Sequence, residues 1–304
     1  MIESSMEADR RPFWYRRRRL LIGGALLAPA AVVLGYRIVM LAAGRPDLAW
    51  PPHEWAVALA IFVVGGLCEF IDAALGMGYG TTLTPLMLLV GYDPLVTVPA
   101  VLLSQGVCGI AAAAWHHRDG NVDLRSDPTA RRTAALLSVL SAVGAIVAVK
   151  VAISLPGAML KALIGSIIVG VGLLMITTRP GQFRYRPAHI VTVGMIAAFN
   201  KCVSGGGYGP LVTAGQVVSG LSTKQAVAIT SLAESFVCFV GLAAYFWERK
   251  TLHWELTVPL VLGSLITVPL ATLSIRKLNE ALVRRLVAVA TIVMGSLTLY
   301  QAMR

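Results

Sequence analysis

The chain has 304 residues, of which 57% are hydrophobic and only 13% charged, with a formal net charge of +11. That balance excludes an ordinary soluble domain and describes a polytopic membrane protein. The positive excess does not indicate nucleic acid, because Arg10, Arg11 and Arg16 to Arg19 crowd ahead of the first apolar run, where a positive-inside anchor beside anionic headgroups accounts for them.

Residues 1–19 read as a basic cytoplasmic tail and 20–43 as an N-terminal transmembrane helix. The apolar run is too long for a cleavable export signal. After a proline-bearing connection, the run 55–75 ends in Gly76-Met77-Gly78-Tyr79-Gly80. The next apolar piece, 81–90, is too short to cross a core of about 30 Å. Gly91-Tyr92-Asp93-Pro94 turns the chain into a full span over 95–117, interrupted by Ser104-Gln105. Loop 118–132 carries Arg118, Arg125, Arg131 and Arg132, and two further spans cover 133–153 and 157–176. Loop 177–187 is again arginine-bearing.

The pattern then recurs. The run 189–203 enters Gly205-Gly206-Gly207-Tyr208-Gly209, and 210–218 is short. A span over 225–247 is interrupted by Glu234-Ser235, and 256–275 and 282–303 close the chain. Gly76 and Gly205 stand 129 positions apart, as do Tyr79 and Tyr208, Gly65 and Gly194, Gly91 and Gly220, and Gln105 and Glu234. Two repeats follow, 55–177 and 188–303. With the tail and both arginine loops on the cytoplasmic side, the first repeat starts outside and the second inside. The expected fold is an all-α integral membrane protein of two inverted repeats with glycine-broken segments, plus one N-terminal transmembrane helix. Arg249 and Lys250 fall on the outer side and count against this orientation.

Glycine costs about 1 kcal/mol against alanine inside a helix, and amides freed in hydrocarbon must find partners. Matched breaks in two halves therefore point to a transporter's binding site. The half-helix beginning after each break offers free amides and a partial positive charge to an anion. Candidate substrate-binding residues are Gly76, Gly78, Tyr79, Gly80, Thr81 and Thr82 in the first half. In the second they are Lys201, Ser204, Gly205, Gly206, Gly207 and Tyr208. Ionisable side chains inside spans are functional candidates by their cost: Glu69, Asp72, Lys201 and Glu234. Asp72, Gln105, Asn200 and Glu234 form the candidate coupling or polar network. Two readings stand side by side. Lys201 supplies charge for an anion while Asp72 or Glu234 takes a coupling proton, or these groups are a buried ion pair joining the halves. His116 and His117 read as a polar cap at a span's cytoplasmic end. Ser204 lacks a histidine at matching depth to serve as base, so an intramembrane enzyme is disfavoured. Cys68, Cys108, Cys202 and Cys238 lack any CxxC spacing, and neither metal nor cofactor is expected.

The chain resembles the TauE/SafE family of sulfite exporters and anion permeases. The resemblance rests on Gly65-Gly66, Phe70-Ile71-Asp72-Ala73, the first glycine cluster, Pro85 and Gly91. It continues through His116-His117-Arg118-Asp119-Gly120-Asn121-Val122-Asp123 and Ser204 to Gly209, and it covers 55–303. It implies transport of sulfite, sulfonates or carboxylates across the inner (plasma) membrane. The expected partners are a small anionic substrate and the lipid bilayer, without nucleic acid. A passive anion channel is the alternative.

Overall fold

In the computed structural model, residues 54–123, 127–177, 187–218, 221–274 and 280–303 are described. The expected N-terminal helix, the basic tail, Gly220 and most of the second arginine loop lie outside them. Residues from Ala60 onward form one compact unit, and Met1–Leu59 forms another, described only over 54–59.

Ten helices are described. They are α1 (Glu54–Leu75), α2 (Tyr79–Val90), α3 (Pro94–Arg118), α4 (Pro128–Ser154), α5 (Gly157–Thr177), α6 (Pro187–Ser204), α7 (Tyr208–Val218), α8 (Thr223–Arg249), α9 (Trp254–Ser274) and α10 (Glu280–Ala302). Seven of the described helices are long and apolar enough to cross a membrane: α1, α3, α4, α5, α8, α9 and α10. The half-helices α2 and α7, with 12 and 11 residues, are too short.

Both long helices after the half-helices start on a side-chain cap. Asp93 accepts from the Leu95 amide at 2.8 Å, with Pro94 in the first turn. Ser222, at the same repeat position, makes a capping box with Gln225 at the start of α8. The two helices then pack antiparallel. Gly106 of α3 lies against Phe239 of α8, while Gly109, further along α3, lies against Ser231 and Ser235. The second repeat-matched pair, α5 and α10, is also antiparallel. Gly165 meets Leu299 and Gly295, and Gly172 meets Ile292 and Ala288.

Polarity runs inside out relative to a soluble bundle. On α4 the exposed residues Leu136, Val139, Val143 and Ile146 recur at helical spacing, as do Leu286, Val289, Val293 and Leu297 on α10. Acyl chains solvate such stripes without penalty. The ionisable side chains Glu69, Asp72, Lys201 and Glu234 are instead buried where α1, α3, α6 and α8 converge.

Candidate functional site

Each broken helix ends in the same way. The Gly76 amide bonds to the Asp72 carbonyl at 2.6 Å, and the Gly205 amide to the Lys201 carbonyl at 2.7 Å. Gly76, Gly78, Gly205 and Gly207 all take positive φ, from +70° to +125°. Only glycine enters that region freely, which is why the sequence breaks here and nowhere else in these helices.

The two breaks touch reciprocally. Gly80 packs on the Gly205 carbonyl so tightly that an added Cβ would overlap it, and Gly209 packs in the same way on the Gly76 carbonyl. The side chains follow the pattern. A Cβ on Gly76 would meet the Thr213 hydroxyl, and one on Gly205 would meet the hydroxyl of Thr84, the residue at Thr213's repeat position. Contacts of this kind, where i meets j and j meets i, belong to an isologous interface.

Beside the breaks lies a chain of buried polar side chains drawn from four helices. Gln105 of α3 is its hub. Its amide nitrogen donates to Asp72 Oδ2 at 3.0 Å and to Glu69 Oε2 at 3.2 Å, both on α1. Its carbonyl oxygen accepts a short hydrogen bond from Lys201 Nζ of α6. Lys201 also pairs with Glu234 Oε1 of α8 at 2.7 Å. Lys201 and Glu69 are each only 1% exposed. Gln105 therefore has both its amide hydrogens and its carbonyl oxygen engaged. It ties the acidic pair of the first half to the ion pair of the second.

The structure thus brings Asp72, Gln105, Lys201 and Glu234 into one network, and it adds Glu69, which the sequence marked only as a charged residue in a span. The two half-helix ends differ. The first amide of α2, Tyr79 N, points to Asp72 Oδ1 at 3.4 Å, so that end meets a carboxylate of the chain itself. At the second end Lys201 occupies the position of Asp72, and the Gly206 amide bonds to Ser204 Oγ at 3.2 Å. The Tyr79 hydroxyl donates to Ser104 Oγ at 2.7 Å and lies 3.2 Å from Ser264 Oγ of α9. Tyr208 is fully buried, and Thr81 is buried with a hydroxyl that finds no partner among the described residues. Thr82 is partly buried. Asn200 is half-buried beside Gly207, and its main-chain carbonyl accepts from Ser204 Oγ at 2.7 Å.

Two residues at the breaks escaped the sequence reading. His116 is not an interfacial cap. It is fully buried, and its Nε2 lies 2.9 Å from the Ala73 carbonyl. Tyr245, at the matching repeat position, donates its hydroxyl to the Cys202 carbonyl at 3.0 Å. The offset of 129 that pairs the glycines also pairs these two residues, and applying it to the whole of α3 finds them.

A helical membrane protein with two touching helix breaks and a buried charged network belongs, as a class, with multi-pass membrane transporters. The chain is a member of the sulfite exporter TauE/SafE family, whose model matches residues 61–298. It is 28% identical over 252 residues to a probable membrane transporter protein, YtnM, of Bacillus subtilis, covering 78% of this chain and 80% of that one. No solved structure matches it. The chain is therefore a membrane transporter.

Proposed function

We propose that the chain is a secondary transporter of a small organic or sulfur-containing anion, of the sulfite, sulfonate or carboxylate class, working by alternating access and coupled to protons. The observation that carries this reading is the buried Lys201–Glu234 pair at 2.7 Å. Lys201 is the network's ammonium, set in the last turn of α6, and a carboxylate of the chain occupies it. A substrate anion must compete with Glu234 for that ammonium. Protonating Glu234 removes the competitor. Proton and anion then favour each other's binding by the same factor, and they travel in the same direction.

The charge count supports proton coupling. Glu69, Asp72 and Glu234 face one ammonium. With all three ionised, two negative charges would stand uncompensated in a low-dielectric core, and the effective penalty is several kcal/mol per ion. Protons are the simplest remedy while the two glycine clusters touch. The touching glycine clusters must part before an anion reaches both amide ends, which is the motion that alternating access requires.

The antiparallel packing of α3 with α8 and of α5 with α10 fits two inverted repeats, which we assign to 55–177 and 188–303. Arginine-bearing loops and the basic tail favour a plasma-membrane protein with a cytoplasmic N-terminus.

A melting screen on the purified full chain tests the reading, because a ligand stabilises the state it binds, by about 2.7 kcal/mol at a hundred times its dissociation constant. Methanesulfonate stays ionised at ordinary pH, so any pH dependence belongs to the protein. Its stabilisation is expected to grow as pH falls. In Glu234→Gln it is expected to be large and independent of pH, while the ligand-free protein melts lower because Lys201 has lost its direct ion-pair partner. If sulfite, methanesulfonate and acetate all leave the melting temperature unchanged, the anion reading fails.

A further inference from the structure

A broken helix must place the carbonyls that its missing turn would have bonded. In an unbroken α1 the Ala73 carbonyl would accept from the amide four residues on, which belongs to Met77, beyond the helix end. It accepts instead from His116 of α3, at 2.9 Å. In an unbroken α6 the Cys202 carbonyl would accept from Gly206, but that amide turns to Ser204 Oγ. Tyr245 of α8 takes its place at 3.0 Å. Ala73 follows Asp72 in the chain, and Cys202 follows Lys201. Thus one buried donor from each of the two antiparallel core helices grips the carbonyl next to each repeat's charged site residue.

The hydrogen-bond role of His116 Nε2 is fixed by its partner. A carbonyl can only accept, so Nε2 carries the proton. Nδ1 lies 3.0 Å from Asn121 Nδ2. Asn121 also donates to the Thr272 carbonyl at 3.4 Å, and the Thr272 hydroxyl donates to Asp119 Oδ2 at 2.8 Å. These bonds tie the ring to the turn after α3 and to the end of α9. Tyr245 reaches its carbonyl with a hydroxyl.

We propose that His116 and Tyr245 are a matched pair of positioning residues for transport. Tyr245 sets the helix end that carries Lys201 to the anion, and His116 sets the end that carries Asp72. The assignment rests on the transport reading above. Neither residue touches the substrate, and each acts through one carbonyl. The loss of either donor therefore weakens the fit of its own half-site without removing the charge.

Tyr245→Phe deletes the hydroxyl alone. In liposomes holding the full chain, with sulfite as the probe at fixed pH, KM is expected to rise about fivefold, the usual weight of one hydrogen bond, with the maximal rate within about twofold of wild type. His116→Leu should impair sulfite flux, and His116→Gln, whose amide can donate where Nε2 did, should restore it. Hydrogen exchange gives a reading that needs no substrate. Tyr245→Phe should speed exchange at 202–207 and leave 73–78 unchanged, and His116→Leu should do the reverse. Unchanged exchange in both segments, a fall in maximal rate at constant KM, or failure of glutamine to rescue would each overturn the proposal. If wild type moves no sulfite, the anion reading suffers, and the exchange pattern still decides whether the two donors hold the breaks.

Discussion

Lys201→Met is expected to abolish saturable anion flux. Methionine keeps much of the length and apolar stem of lysine and removes the ammonium. Three consequences follow. The substrate loses its countercharge, and truncating one partner of a buried charge pair costs about 2–5 kcal/mol, or roughly thirtyfold to several thousandfold in affinity at 1.4 kcal/mol per decade. The Gln105 carbonyl oxygen loses its donor. Glu234 stands without the cation 2.7 Å away, so the variant should be less stable, and more so as pH rises and Glu234 tends to ionise. Adding Glu234→Gln separates folding from function. The double variant removes both charges together, which buried pairs tolerate far better than losing one partner. Its melting temperature should recover toward that of wild type while flux stays absent. Restored flux in the double variant would show that Lys201 is structural.

The second large effect concerns a single methyl group. A Cβ on Gly80 would overlap the Gly205 carbonyl, and one on Gly209 would overlap that of Gly76. Overpacking usually costs about 1–3 kcal/mol, because side chains can rotate away. Here the obstacle is backbone at a break held by positive-φ glycines, and it has little room to yield. Gly80→Ala and Gly209→Ala should each lower the melting temperature sharply or prevent folding, and to a similar degree, since the contacts are reciprocal. Among the described residues, nothing lies where a Cβ on Gly170 of α5 would be. Gly170→Ala should be neutral or slightly stabilising, because alanine is the better helix former. Equal tolerance of alanine at all three positions, read by thermal melting in detergent, would contradict the contact.

Much of this architecture was legible because the repeat lies in the sequence itself. The offset of 129 joined Gly76 to Gly205, Asp72 to Lys201 and Gln105 to Glu234, and the cost of charge in hydrocarbon singled out the ionisable members. The connections within the network were not legible. Glu69 has alanine, Ala198, at its repeat position, so symmetry gave no reason to attach it to Gln105. The contact of Gly80 with Gly205 depends on how two helices cross, which no local pattern encodes. His116 was misread for a different reason. A histidine near the end of a span looks like a headgroup contact, and only a carbonyl left over from a break elsewhere in the chain gives it a buried partner. Tyr245 lies inside the apolar run 225–247, where nothing local distinguishes it from a packing aromatic.

The most direct test joins proton to anion. Liposomes containing the full chain would be given an inward gradient of methanesulfonate, which carries no titrating proton at ordinary pH, while a trapped dye reports internal pH. The account predicts that the interior acidifies as anion enters, that an imposed inward proton gradient drives anion uptake, and that Glu234→Gln carries anion without protons. Saturable anion flux that neither moves protons nor responds to a pH gradient would contradict the account.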